Sequence, residues 1–162
     1  KRFDLMFGVN VRATFLCSQA AIPHLARSSN AHILTLSPPP ALKPEWFAPH
    51  VAYTMSKYGM SLCTLGMAEE LKSRGIAVNS LWPRTTIATA AIEVNFPKEI
   101  LASSRTPAIM ADAAHAILTS DARTTSGHFF IDEDLLRARG VADFSRYAVT
   151  AGAPLFTHLF VE

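Results

Sequence analysis

VAYTMSKYGMSLCTLGMAEELKSRGIAVNSLWP, residues 51–83, holds a long helix, a stop signal and a strand in one unbroken stretch. Val51, Met55, Tyr58, Leu62 and Leu65 recur at helical spacing, with Leu71 on the flank. They predict a helix from Val51 to Ser73 with this stripe as its apolar side. Ser56, Gly59, Cys63 and Gly66 lie among them and permit close approach of another helix. Gly75 stops the helix. The run Ile76 to Trp82 then reads as a strand, and Pro83 ends it because proline cannot continue a central ladder.

The same alternation extends both ways. Upstream, Leu5, Val9, Phe15, Leu16, Ala20 and Leu25 predict a helix from about Phe3 to Arg27, bent or turned near Pro23. Ala31 to Leu36 (AHILTL) follows as a short buried strand, and Pro38-Pro39-Pro40 force the chain out of the sheet. Downstream, a polar loop leads to a helix from Pro107 or Ala108 to Leu118. Gly127 to Ile131 is a third strand, Asp132 opens a short helix to about Arg139, and the tail from Gly140 is loosely patterned. Helices alternating with strands give parallel strands joined by crossovers. The expected fold is α/β, the second half of a Rossmann-like doubly wound sheet. The chain begins inside an amphipathic pattern, so the expectation is a catalytic portion, residues 1–162, whose dinucleotide-binding half lies before residue 1.

Composition narrows the function. Hydrophobic residues make up 49% and charged residues 17% of the 162 positions, which excludes a disordered tail. The net charge is +2 with no Lys/Arg run, so a nucleic-acid partner is not expected. The apolar runs are too short and interrupted for a membrane span to be expected. Cys17 and Cys63 form no Cys-x-x-Cys pair and are read as small buried thiols, in keeping with a reducing, cytoplasmic setting. The six histidines show no metal-ligand spacing.

Ligands of open α/β sheets bind beyond the carboxyl ends of the strands. Ser37, the segment Pro83–Thr89 and Ile131-Asp132 fall at that edge. The helix carrying Tyr53 and Lys57 starts on the return from it. These two residues are four apart and share a helical face. A phenol titrates near pKa ~10, and a neighbouring ammonium favours its ionised form, so the pair can exchange a proton with an alcohol or carbonyl oxygen. Taken alone, the spacing favours one amphipathic Tyr and one solvated Lys.

The stretch Ala52-Tyr53-Thr54-Met55-Ser56-Lys57-Tyr58-Gly59, preceded by Val9-Asn10-Val11 and followed by Gly75–Pro83 and Thr125–Asp132, resembles the short-chain dehydrogenase/reductase family. The Ser-Pro-Pro run and the Trp-Pro-Arg-Thr turn look most like its hydroxysteroid dehydrogenase-like branch. The resemblance implies an NAD- or NADP-dependent oxidoreductase. Tyr53 would be the proton donor or acceptor. Lys57 would hold the nicotinamide ribose and lower the tyrosine pKa. Asn10 would anchor a water of the proton relay. Pro83, Thr85, Thr86 and Ile87 would form the nicotinamide-side loop. It also implies a homodimer or homotetramer in which the two long helices meet their copies. Three features depart from the family pattern. Pro38 stands where a catalytic serine is usual, so Ser37 either substitutes for it or is structural. Arg84 replaces a glycine, as a phosphate or acid contact or as a solvated side chain. No glycine-rich phosphate loop is present. A non-enzymatic binding or assembly module on the same fold is the rival expectation. Trp46, Phe47, Phe96, Leu101 and Met110 are expected near the site, where they would suit an apolar, lipid-, terpenoid- or steroid-like alcohol or carbonyl.

Overall fold

A computed structural model describes residues 1–161. Three parallel strands, β1 (Ala31–Thr35), β2 (Ile76–Trp82) and β3 (Phe129–Ile131), lie in sequence order, with β2 in the middle. Ala31 pairs with Ile76 and Ser80 with Phe129. Every residue of β2 is buried, as a central strand covered on both faces requires. One face packs Ala31, Ile76 and Val78 against Met67, Ala68 and Leu71, with Ile22 and Leu25 alongside. The other face packs Leu81 against Ile109, Ala113 and Ile117 of α7 (Ala108–Leu118) and Leu136 of α8 (Asp132–Ala138). Helices thus cover both faces of a parallel sheet, the α/β arrangement expected from the sequence.

The N-terminal helix is broken in an unexpected way. α1 (Arg2–Phe7) and α2 (Ala13–Leu25) are joined by a π-helical turn, Gly8–Arg12. A π turn accommodates an extra residue and is kept where tertiary contacts hold it. Here the turn packs on α4 (Val51–Glu70) at Gly59, where a Cβ would stand 2.7 Å from Val11 Cγ2. Gly59 therefore serves an approach within the chain. Pro23 sits inside α2, in its last turn. The combined helix Arg2–Leu25 has 24 residues and contains an 18-residue window of mean hydropathy 1.2, long and apolar enough to cross a bilayer by length and composition alone. Arg12 lies near its middle, where a charge in lipid is costly.

α4 ends at Glu70, and a 3₁₀ turn, Lys72–Arg74, leads to Gly75. Gly75 has φ 67°, the left-handed conformation that a C-terminal cap needs. The apolar stripe of α4 turns mostly outward, Tyr58 excepted. Thr54, Ser56, Tyr58, Ser61, Thr64, Met67 and Ala68 are buried, while Val51, Met55, Leu62 and Leu65 are exposed. The reason lies in the proline run. Ser61 Oγ donates to Pro38 O at 2.7 Å, Tyr58 OH to Ala41 O at 2.9 Å, and Thr54 Oγ1 to Trp46 O at 2.5 Å. The irregular segment from Pro38 to Trp46 has few ladder partners for its carbonyls, and the hydroxyls of α4 satisfy them.

Two short helices, α5 (Ala90–Asn95) and α6 (Lys98–Ala102), occupy the stretch expected as polar loop, and α3 (Pro44–Phe47) forms in the proline-rich loop. The loosely patterned tail is tied down by backbone pairing. Thr85 bridges Thr157, and Arg105 bridges both Ile87 and Ala148. Neither cysteine is fully buried, contrary to expectation. Cys17 is exposed and Cys63 half-buried, both as free thiols, because the faces that carry them look outward.

Candidate active site

Tyr53 and Lys57 occupy the first two turns of α4, at the carboxyl edge of the sheet. The Tyr53 ring is half-buried and stacks against Phe160, with centroids 6.3 Å apart and planes 19° from parallel. Its hydroxyl makes no hydrogen bond among the described residues. Burial pushes the phenol above its ordinary pKa. Lys57 Nζ donates to Leu36 O at 3.2 Å, lies 3.8 Å from Met60 Sδ, and sits 5.3 Å from the centroid of the Trp82 ring. Burial pulls its pKa down. Burial thus shifts the phenol in the direction opposite to the one expected from the ammonium. A protonated Tyr53 at neutral pH is a proton donor.

Asn10 reaches the same helix. The π turn points its Nδ2 at Ser56 Oγ, 3.0 Å away, and Ser56 Oγ donates to Tyr53 O at 2.8 Å. Asn10 is therefore linked by two hydrogen bonds to the backbone of Tyr53. Ser37 is arranged differently. It is fully buried, and its Oγ shares a hydrogen bond with Ser80 Oγ at 2.9 Å, which in turn meets Thr64 Oγ1 at 2.8 Å. This chain of hydroxyls runs from the end of β1 through β2 to α4, and no hydrogen bond joins Ser37 to Tyr53 among the described residues. Replacing Ser37 with Ala is expected to cost about 1 kcal/mol of stability and to leave turnover near wild type. Denaturant unfolding and kcat measured on the same variant check this; a fall in kcat larger than the fall in cofactor affinity would return Ser37 to the chemistry.

The segment after β2 supplies the other wall. Pro83 is buried, Thr86 Oγ1 pairs with Ser104 Oγ at 2.7 Å, and Ile87 packs into the core beneath. Thr85 Oγ1 is buried with no hydrogen-bond partner among the described residues. Such a hydroxyl suits a ligand that brings its own polar group. Arg84 is anchored toward α8. Its N–H donates to Asp132 Oδ1 at 2.9 Å and its guanidinium to Asp134 at 2.5 Å. Asp132 is fully buried, and burial raises its pKa although the amides of Arg84 and Glu133 oppose this.

Sequence reasoning placed Trp46 and Phe47 near the site but missed the part that Trp82, Tyr58 and Phe160 play in its aromatic surroundings. Trp82, Phe160 and Tyr58 form a buried cluster with Val161, and Trp46, Phe47, Tyr53 and Ile131 pack against it. Of the residues expected to line an apolar site, Trp46 and Phe47 join this cluster. Met110 packs into the core beneath α7, and Phe96 is exposed. Asp112 binds Tyr147 OH at 2.6 Å and Arg146 at 2.9 Å. Among the described residues no group of three or more His, Cys, Asp or Glu could hold a metal ion.

Comparison with known proteins gives a consistent result. The sequence model of the family described as short chain dehydrogenase matches residues 1–99. Hydroxysteroid dehydrogenase-like protein 2 of Danio rerio is 51% identical over all 162 residues, which make up 39% of that relative's length. A short chain dehydrogenase structure from Mycobacterium thermoresistibile is 48% identical with a TM-score of 0.91, covering all of this chain and 57% of that one. An angucycline C-6 ketoreductase with bound NADP is 27% identical with a TM-score of 0.64, over 80% of this chain and 52% of that one. The chain thus spans about two fifths of the curated relative and a little over half of the solved structures.

Proposed function

Because this chain belongs to the short-chain dehydrogenase family, we propose that it is the catalytic portion of an oxidoreductase that interconverts an alcohol and a carbonyl with NAD or NADP. The observation that carries this reading is the convergence of Tyr53, Lys57 and Asn10 on the first turns of α4. Tyr53 is the acid/base. Its raised pKa keeps the phenol protonated, so in reduction it donates its proton to the carbonyl oxygen. Lys57 steadies the phenolate left behind and binds the nicotinamide ribose. Asn10, held to Ser56, anchors a water of the proton relay. A bound nicotinamide dinucleotide supplies or accepts the hydride. The unpartnered Thr85 hydroxyl favours a loop made to hold its amide end, with Pro83, Thr86 and Ile87 fixing that loop in place.

Trp46, Phe47, Trp82 and Phe160 around the phenol favour an apolar substrate, such as a lipid-, terpenoid- or steroid-like alcohol or ketone. The test is to follow NADH and NADPH oxidation by the complete protein against apolar ketones of increasing size. Cofactor oxidation matched by alcohol formation is the expected result. No oxidation of either cofactor across the panel would overturn the reading. The free thiols of Cys17 and Cys63 fit a cytoplasmic setting.

The outward apolar face of the two long helices fits assembly. Leu5, Val9, Leu62 and Leu65 are each more than half exposed, and Phe7, Val11, Phe15 and Cys63 wall a groove between the helices. We read this face as a self-complementary two-fold contact in a dimer or tetramer. A Cβ on Gly66 meets nothing within 4 Å, so a charge there leaves the protomer intact. Light scattering on the complete protein should show an oligomer that Gly66→Glu shifts toward monomer. A wild type that stays monomeric at high concentration contradicts the contact.

A further inference from the structure

Trp82 is the last residue of β2 and is 5% exposed. Its surroundings fix it on several sides. The indole N–H donates to Leu159 O at 2.8 Å. The His158 ring meets it edge-on, 4.9 Å away with an interplanar angle of 83°, and the Phe160 ring lies at 5.9 Å. Phe160 has φ 69°, a backbone conformation that a bulky L-residue adopts only where its surroundings enforce it. The segment 158–161 is therefore held in one arrangement that pins the indole.

The Lys57 ammonium lies 5.3 Å from the centroid of the pinned ring. That is within range of a cation–π attraction, which strengthens when both groups are shielded from water. Lysine is a point charge on a flexible four-carbon stem, and its position must come from its partners. Of its partners here, Leu36 O at 3.2 Å takes one N–H and Met60 Sδ at 3.8 Å is a weak acceptor. The indole face attracts the charge without needing a hydrogen bond in return, so donors remain for the sugar hydroxyls of a dinucleotide. Tyr53 and Tyr58 from α4 and His158 from the tail are the titratable groups around the indole and the ammonium. His158 is held below its ordinary pKa by burial first and by the charge of Lys57, against an opposing hydrogen bond to Leu159 O. Its imidazole is thus neutral at neutral pH and does not compete as a cation for the indole.

We propose that Trp82 is a positioning residue for Lys57, locked in place by the chain segment His158–Val161. The proposal rests on the assignment of Tyr53 and Lys57 as the acid/base pair. Fluorination weakens the negative face of an indole with little change of shape. Tryptophans of rising fluorine content, placed at position 82 alone in the complete protein, should loosen NADH and NADPH binding stepwise, by about tenfold at full fluorination. Cofactor fluorescence in the binary complex reads this without turnover, and an unchanged melting temperature shows that packing is kept. The same series should move the ionisation that limits alcohol oxidation to higher pH, because a less well placed ammonium supports the phenolate less. Trp82→Leu should show both effects in larger measure; if it fails to fold, the fluorinated series carries the test. Affinity and ionisation that stay flat across the series overturn the proposal. Tyr53→Phe run alongside separates the two levels. A flat series with an inactive Tyr53→Phe refutes only the role of Trp82, whereas an active Tyr53→Phe removes the acid/base assignment itself.

Discussion

Tyr53→Phe in the complete protein should keep the fold and lower turnover by about 10²- to 10⁴-fold, the usual worth of a general acid/base step. The geometry makes this variant a clean one. The Tyr53 hydroxyl has no hydrogen-bond partner among the described residues, so its loss leaves no orphaned group. The ring keeps its stacking on Phe160 and its place beside Tyr58 and Trp82. Melting temperature should therefore match wild type while kcat falls. Equal turnover in both proteins would remove Tyr53 from the mechanism. A joint loss of stability and activity would mean that the ring, not the hydroxyl, is what the site needs.

Arg105→Met should destabilise the protein by about 3 kcal/mol, the range expected when one partner of a buried ion pair is removed. Arg105 has 5% of its side chain exposed, pairs with Glu133 and lies 5.4 Å from the Phe144 ring. Methionine preserves the volume but leaves Glu133, 14% exposed, with only the more exposed Arg137. Burial works to raise the Glu133 pKa, yet hydrogen bonds from Arg137 and Arg105 override it and hold the carboxyl below its ordinary value. A depressed carboxylate stabilises the fold above the unfolded pKa of ~4.3 and loses that contribution as pH falls through the folded value. Denaturant unfolding should accordingly show the full gap between wild type and variant at neutral pH, narrowing below pH ~4. A gap that does not depend on pH would assign the loss to packing on Phe144. Arg105 O accepts from Ala88 N at 2.8 Å and Arg105 N donates to Thr86 O at 2.9 Å, so this residue frames the loop assigned to the cofactor.

Much of this architecture was legible in the sequence, for identifiable reasons. β1 and β2 are short apolar runs closed by Pro38 and Pro83, and proline's missing N–H ends a central strand wherever it falls. Gly75 marked the end of the α4 region because only the left-handed conformation closes that turn. The Tyr53–Lys57 spacing was visible because a helical face depends on residue separation alone. Other features were hidden. The apolar stripe on α4 was legible, but not that Ser61 and Thr54 face inward, together with Tyr58 of the stripe, to satisfy the carbonyls of the proline segment. No hydropathy pattern records such a demand. The π turn at Asn10 depends on Gly59 admitting Val11, a contact between residues 48 positions apart. The placement of Phe160 and Leu159 over Trp82 comes from bridges between irregular segments, which carry no periodicity. Ser37 illustrates a different limit: its position at the end of β1 was clear, but its engagement with Ser80 and Thr64 was not.

The most direct test of the Tyr53–Lys57 pair is the pH dependence of kcat/KM for alcohol oxidation by the complete protein, measured for wild type and for Lys57→Met. Oxidation needs the phenolate, so the rate should rise with pH through the ionisation of Tyr53. With Lys57 in place that ionisation should lie at lower pH. In Lys57→Met, burial alone acts on the phenol, and the limb should move upward together with weaker cofactor binding. Identical limbs in the two proteins would contradict the account, because Lys57 would then have no hold on the proton that Tyr53 is assigned to move.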